Sequence, residues 1–358
     1  MAGCARPRGS GYAGYAFVAN QDGQAIAAVD LMTFTVARYI PLDGSPTGVV
    51  APAAHPSVYA LTAATGCVHQ IDPGKLAFKR KLQVGRTAES MRVAVGPPLA
   101  LWVLCRQPRQ LVRIAADTFK PVASIALPFE PYGFDLAPDG ETAVVSFGDS
   151  GRFGIVDLAR RTCRAFDLGR KLSLVRYRSD GRQLLIAAGE EPLLTVVDFK
   201  SGGVMVNLPL AVRAENLCVK SDGGQMFITG PGMDAVVVVY PYTTEVAQTA
   251  LAGRSPGFVA ECINEDDDFL FVANPGPGQV TILDVDTLKV VAVVAVGRGP
   301  AFITQTPDRQ YALVLNRDSG DMAVVRLAVI GGKKERSAPL FTMIPVGSKP
   351  VAAAVRHV

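Results

Sequence analysis

Basic residues recur in short glycine-containing loops, and they are the side chains of this sequence whose type and spacing best suggest a chemical role. Five of eight equivalent loops contain an arginine and a sixth contains a lysine. The residues are Arg86, Arg170, Arg213, Arg254, Arg298 and Lys349. A guanidinium group donates paired hydrogen bonds to a carboxylate or a phosphate. If the loops lie together, they predict a site for an anionic ligand or an acidic partner.

Residues that usually support catalysis or metal binding are sparse. The three histidines, His55, His69 and His357, have no partner that the sequence can place beside them. The six cysteines are scattered without a CxxC pair, which is neither a zinc pattern nor a compact disulfide framework. The acidic run at 265–268 lacks the Asp/Gly spacing of a calcium loop. We therefore predict no catalytic residue, no metal site and no cofactor.

The composition favours a globular chain with a large buried core. Hydrophobic residues make up 49% of the chain and charged residues only 19%, with a formal net charge of +4. No apolar segment reaches the roughly 18 residues that a membrane-spanning helix needs. The mild charge and the scarcity of basic tracts argue against nucleic acid as a partner.

A repeat of four short apolar runs extends along the chain. Its clearest column is an apolar residue most often followed by Asp, at Val29, Ile71, Ile114, Val156, Val197, Val239, Leu283 and Val325. The spacings are 42, 43, 42, 41, 42, 44 and 42 residues. We expect the Asp to accept hydrogen bonds from the turn that follows it. A four-stranded unit of this length is typical of a β-propeller blade, so the sequence predicts an all-β fold.

The two ends of the repeat predict how the ring closes. Residues 15–20 match the second strand of a unit without an innermost strand before them, and 351–358 match an innermost strand without a unit after them. Together they complete one blade and remove exposed sheet edges. The prediction is one propeller domain, 15–358, with eight blades and a strand clasp. Seven blades is the alternative, because a long insertion at 328–345 makes the last unit irregular.

Units such as "FVANPGPGQVTILDVDTLKVVAVVAVGRGP", which starts at Phe271, resemble the YVTN-type β-propeller repeat of bacterial and archaeal surface and exported proteins. The resemblance extends over 15–358 and implies a location outside the cytoplasm, in the periplasm or at the cell surface. The segment Ala2-Gly3-Cys4 is similar to the end of a bacterial lipoprotein signal. We therefore predict that 1–14 is a processed tether with a lipid anchor at Cys4. A cytoplasmic location is the alternative.

Loops that enter the innermost strands of a propeller surround one mouth of its central channel. This arrangement would place the six basic residues in a partial ring that attracts anions. On the innermost strands, Asp135 and Arg176 align in neighbouring units and are predicted to line the channel wall, as an ion pair or as binding residues. The same alignment matches Ala94, Cys218 and Cys262 with them.

We predict a monomeric, non-catalytic scaffold that binds an anionic ligand or an acidic protein at the arginine-rich mouth. The competing interpretation is that repeat duplication copied a solvated Gly-Arg turn. A lactonase-like hydrolase is an alternative function, although the mouth offers only Glu130 as an acid–base residue. A more remote alternative is a redox propeller similar to the modified-haem domain of nitrite reductases, although the chain has no CxxCH motif.

Overall fold

The computed structural model describes residues 11–94, 96–330 and 338–357. Its 32 strands form eight antiparallel four-stranded sheets, which are the blades of one propeller, so the predicted all-β fold is confirmed. Cys4, the predicted lipid anchor, lies outside the described residues, as does most of the predicted tether at 1–14. Among the described residues, no helix is long and apolar enough to cross a membrane.

In each of blades 1 to 4, the innermost strand borders the channel and is given first. Blade 1 contains β32 (Pro350–His357), β1 (Gly14–Asn20), β2 (Ala25–Asp30) and β3 (Thr35–Pro41). Blade 2 contains β4 (Gly48–Val50), β5 (Val58–Thr62), β6 (Cys67–Asp72) and β7 (Ala77–Gln83). Blade 3 contains β8 (Thr87–Val93), β9 (Ala100–Gln107), β10 (Gln110–Ala115) and β11 (Lys120–Ala126). Blade 4 contains β12 (Gly133–Leu136), β13 (Thr142–Ser146), β14 (Arg152–Asp157) and β15 (Thr162–Asp167).

Blades 5 to 8 follow the same order. Blade 5 contains β16 (Leu172–Tyr177), β17 (Gln183–Ala188), β18 (Leu193–Asp198) and β19 (Val204–Pro209). Blade 6 contains β20 (Asn216–Val219), β21 (Met226–Thr229), β22 (Ala235–Tyr240) and β23 (Glu245–Leu251). Blade 7 contains β24 (Val259–Ile263), β25 (Asp268–Asn274), β26 (Gln279–Asp284) and β27 (Val290–Ala295). Blade 8 contains β28 (Pro300–Gln305), β29 (Tyr311–Asn316), β30 (Asp321–Arg326) and β31 (Leu340–Pro345). Short 3-10 helices occur at Ala63–Thr65, Gly148–Ser150 and Leu327–Val329.

Apolar side chains packed between neighbouring sheets hold the blades together. In β25, Phe269 and Phe271 pack towards blade 8, whereas Leu270 and Val272 pack towards blade 6. Because both faces of the strand are covered, its apolar residues form a continuous run rather than an alternating pattern. This explains why the repeat is conspicuous in the sequence.

The turns between third and fourth strands account for the recurring Asp of the repeat. Oδ1 of Asp284 accepts hydrogen bonds from the backbone amide of Thr287 at 2.7 Å and from its hydroxyl at 2.6 Å. Backbone amides donate hydrogen bonds in the same way to Oδ1 of Asp30, Asp72, Asp157 and Asp198. The expected turn role of these residues is confirmed.

The ring is closed by the strand clasp, which is the pairing of β32 with β1. Gly14 lies opposite His357, and the antiparallel pairing continues along the whole of β1. Ala353 packs towards blade 8, and Nη1 of Arg356 donates a hydrogen bond to the carbonyl oxygen of Pro52 at 2.7 Å. Both the eight-blade count and the clasp are therefore confirmed.

Candidate functional site

Two sets of loops meet at one face of the propeller, which we call the entry face. Entry loops lead from the outermost strand of one blade to the innermost strand of the next, at 42–47, 84–86, 127–132, 168–171, 210–215, 252–258, 296–299 and 346–349. Partner loops join second and third strands, at 21–24, 63–66, 108–109, 147–151, 189–192, 230–234, 275–278 and 317–320. Because successive strands of a blade are antiparallel, both sets emerge on the same face.

Glycines allow the entry loops to pack closely against the blade that they enter. A Cβ atom on Gly297 would lie 2.7 Å from Nδ2 of Asn316, and one on Gly253 would lie 2.7 Å from Oδ1 of Asn274. Both distances are too short for a real Cβ contact, so Gly253 and Gly297 are required by packing. The arginine that follows is carried by a tightly held loop.

Three of the six predicted basic residues form ion pairs, and this local neutralisation is not visible in the entry loops alone. The pairs are Arg170–Glu191 at 3.4 Å, Arg213–Glu215 at 2.7 Å and Lys349–Asp22 at 3.5 Å. Two of the three carboxylates belong to partner loops. The entry face therefore carries both signs of charge, and attraction for an anion depends on the basic residues that remain unpaired.

Arg86, Arg254 and Arg298 are the remaining three, and we call them the open arginines. All three are exposed, and across 11–94, 96–330 and 338–357 no carboxylate oxygen lies within 4.0 Å of their guanidinium nitrogens. Arg254 and Arg298 lie on neighbouring entry loops, which lead to blades 7 and 8, whereas Arg86 leads to blade 3. The amide of Arg298 donates to Oγ of Ser319 at 2.9 Å, so its backbone is fixed while its side chain faces solvent.

Glu130, the acid–base candidate that the sequence predicted at the mouth, is held by an arginine from β9. Nη2 of Arg106 lies 2.6 Å from Oε1 of Glu130, and its Nη1 lies 3.4 Å from Oε2 of Glu89. These residues border a groove of about 570 Å³. Burial raises the pKa of Glu89, and the charge of Arg106 opposes that rise. An arginine shared by both carboxylates favours a structural role over acid–base chemistry.

The two histidines of blade 2 have acidic neighbours that the sequence could not place. Nε2 of His55 lies 3.7 Å from Asp117, and Nδ1 lies 3.0 Å from the hydroxyl of Tyr59. His69 is in β6, is fully buried, and has Nε2 3.5 Å from Asp43. Burial lowers the pKa of both imidazoles, against the effect of the nearby carboxylate. His55 belongs to contacts within and between blades, whereas His69 lies inside blade 2 beneath the entry loop that carries Asp43.

Strand register identifies the residues that share one level of the channel wall. They are Ala354, Val50, Arg92, Asp135, Arg176, Cys218, Ala260 and Thr304. The predicted alignment of Ala94 and Cys262 with this level was wrong, because each lies two residues beyond it. The loops from first to second strands differ in length, for example 94–99 and 264–267, so counting along the chain loses the register.

Asp135 and Arg176 share this level but do not form a direct ion pair. Oδ2 of Asp135 accepts a hydrogen bond from the amide of Tyr177 at 3.0 Å, and Nη1 of Arg176 donates to the carbonyl oxygen of Val175 at 2.8 Å. Burial lowers the pKa of Arg176, the charge of Arg92 lowers it further, and the charge of Asp135 opposes both. Sequence analysis did not identify Arg92, because only the strand pairing shows that it lies at this level of the channel wall.

Comparison with known proteins establishes the fold and not the family. No protein-family model matches the chain, and no curated protein sequence matches it either. Dihydro-haem d1 dehydrogenase NirN, solved in complex with DHE, is similar with a TM-score of 0.76 and 15% identity, over 95% of this chain and 75% of that one. Apo AztD from Citrobacter koseri is similar with a TM-score of 0.73 and 13% identity, over 96% of this chain and 97% of that one. Hydrazine synthase from Kuenenia stuttgartiensis is similar with a TM-score of 0.58 and 17% identity, over 92% of this chain and 99% of that one.

At these identities the likeness carries the propeller fold alone. The resemblance of the repeats to the YVTN type stays a prediction, since no family model covers the chain.

Proposed function

We propose that this chain is a non-catalytic binding propeller that recognises an anionic ligand or an acidic partner at its entry face. The observation that carries the proposal is the set of open arginines on tightly packed loops. An exposed guanidinium without a carboxylate neighbour keeps its donors for a ligand. On the resemblance of the repeats to exported propellers, we also propose a location outside the cytoplasm.

Arg254 and Arg298 form the centre of the proposed site because their loops are adjacent and both are fixed by the neighbouring partner loops. The amide of Ser255, next to Arg254, donates to Oδ1 of Asp234 at 2.8 Å. A fixed backbone lowers the entropy lost when a side chain on it becomes ordered around a ligand. Arg86, farther around the ring, extends the site for a larger acidic partner.

Replacement of all three open arginines by alanine is expected to abolish stabilisation by acidic peptides. In a thermal-shift screen with acidic peptides such as hexaglutamate, the unmodified protein should be stabilised by about 2.7 kcal/mol when an active peptide is present at about 100 times its Kd. The open-arginine variant should show no such shift. Because the substituted side chains are exposed and unpaired, the variant should fold normally without ligand.

The matched control replaces Arg170, Arg213 and Lys349 by alanine. It removes the same amount of positive charge, but from residues already paired with carboxylates. We expect this variant to retain most of the ligand-induced shift. Equal shifts in both variants would show that the open arginines are only solvated turn residues.

Modified-haem binding is a second candidate, favoured by the fold shared with NirN, a protein solved with DHE bound. Arginines on the channel wall and at the mouth suit the carboxylates of such a group. The fit is incomplete, because neither His55 nor His69 is available to bind the haem iron. His55 is hydrogen-bonded to Tyr59, and His69 is enclosed within blade 2. A visible absorption spectrum of protein purified from its native host tests this candidate, and a spectrum without a haem band rejects it.

A further inference from the structure

The middle of the channel wall carries a concentration of charge that neither the fold nor the entry-face site explains. Arg92, Asp135 and Arg176 lie at one level on the innermost strands of three consecutive blades, 3, 4 and 5. The other five residues of that level are small or uncharged: Val50, Cys218, Ala260, Thr304 and Ala354. Two guanidinium groups thus face a single carboxylate.

That carboxylate does not satisfy the two arginines. Asp135 accepts a hydrogen bond from the amide of Tyr177, and no carboxylate oxygen of the described residues lies within 4.0 Å of a guanidinium nitrogen of Arg92 or Arg176. Nε of Arg92 is buried and has no hydrogen-bond partner within the described chain. Burial lowers the pKa of Arg176, and the positive charge of Arg92 lowers it further.

A buried guanidinium without a counter-ion costs free energy, since it has lost its water and gained little in return. An isolated structural role would be served better by an apolar side chain of similar volume. The arrangement is favourable only when a further negative charge is present. At this level of the wall, the described residues supply one carboxylate for two cations, so a further anion would balance the charge.

We propose that Arg92 and Arg176 bind a small oxyanion, a phosphate or a carboxylate, inside the central channel. Two oxygens of such an anion can accept hydrogen bonds from the two guanidinium groups at once. Ala260 and Ala354, across the same level of the wall, have small side chains that leave room for it. The anion would supply the charge that balances Arg92, Asp135 and Arg176.

This site is separate from the entry face. Arg92 and Arg176 each lie six residues along the innermost strand from the entry-loop residues Arg86 and Arg170. Register shifts in both strands shorten this path, so at about 3.3 Å per residue the two levels lie roughly 15 Å apart. A small anion in the channel therefore cannot contact the open arginines, and the two sites can be tested independently.

The test is an isothermal calorimetric titration of the protein with inorganic phosphate at constant ionic strength. The unmodified protein should show saturable binding, and Arg176→Gln or Arg92→Gln should weaken it by at least about tenfold, since each removes charged hydrogen bonds. Asp135→Asn should tighten it, because the amide oxygen can still accept from Tyr177 while the competing charge is gone. Arg176→Gln should weaken phosphate binding by the same factor in an Arg254→Ala/Arg298→Ala background, because the two sites are separate.

A second measurement separates a ligand-binding role from a purely structural one. Without phosphate, Arg176→Gln should unfold at the same temperature as the unmodified protein or at a higher one; with saturating phosphate, the order should reverse. An Arg176→Gln variant that is less stable under both conditions overturns the proposal. So does the lack of saturable phosphate binding to the unmodified protein, or its loss in the Arg254→Ala/Arg298→Ala variant alone, which would assign the anion to the entry face instead.

Discussion

Deletion of residues 351–358 is expected to cause a large cooperative loss of stability, on the order of 5 kcal/mol or more. The deletion removes nearly all of β32, which pairs with β1 along seven residues, and exposes the edge of blade 1. It also removes Ala352 and Ala353, which pack towards blades 2 and 8. The ring would be held by side-chain packing alone between blades 8 and 1, with an unpaired strand edge.

Equilibrium unfolding in urea measures the loss of stability. Small-angle X-ray scattering shows whether the ring opens. The matched control is a permuted chain that begins at Pro350, joins His357 to Gly11 by a short glycine-rich linker so that the buried Tyr12 is kept, and ends at Lys349. It keeps every strand and moves the chain ends to an entry loop, so its stability should be close to that of the original. An unchanged unfolding midpoint after the deletion would mean that the clasp does not stabilise the ring.

Acidification from about pH 7.5 to 5.5 is expected to destabilise the propeller through two buried histidines. Burial lowers the pKa of His69 and of His55 from the ordinary value of 6.5. A histidine with a lowered folded pKa binds fewer protons in the folded state than in the unfolded state. Its contribution is therefore complete above pH 6.5 and is lost as the pH falls towards the folded pKa, by up to about 1.4 kcal/mol per pH unit for each imidazole.

The groups that face His69 are Thr62, Asp43, Lys81 and the ring of Phe78. Replacement of His69 by Leu should flatten the pH dependence of the unfolding free energy, whatever its effect on stability at pH 7.5. Met32→Leu, at an exposed position without a titratable group, is the control and should leave the slope as it is. If His69→Leu had the same slope as the unmodified protein between pH 6.5 and 5.5, the histidine would not be the source of acid sensitivity.

The propeller fold could be predicted from the sequence because equivalent residues repeat in every blade. The column from Val29 to Val325 shows the blade period, and an error at one unit is corrected by its neighbours. Asp284 and its counterparts show where each turn lies, since Asp accepts hydrogen bonds locally. The clasp followed from the same alignment, because it needs only the identity of a strand and not its contacts.

The chemistry of the candidate sites could be predicted only in part, because it depends on contacts between distant segments. Glu191 and Asp22 neutralise Arg170 and Lys349 from partner loops, which vary in sequence and do not follow the repeat. Arg92 was missed because the loop at 94–99 shifts the count of residues between the first and second strands of blade 3. The side chains that surround the candidate sites depart from the repeat, so the repeat does not predict their contacts.

The central claim is that the open arginines bind anions, and the most direct measurement is the affinity of a fluorescent hexaglutamate peptide as sodium chloride is raised from roughly 0.05 to 0.5 M. We expect affinity to fall with salt in the unmodified protein. At low salt, the variant with Arg86, Arg254 and Arg298 replaced by alanine should bind at least about tenfold more weakly, as expected for lost charged hydrogen bonds. The same affinity and the same salt dependence in both proteins would contradict the claim.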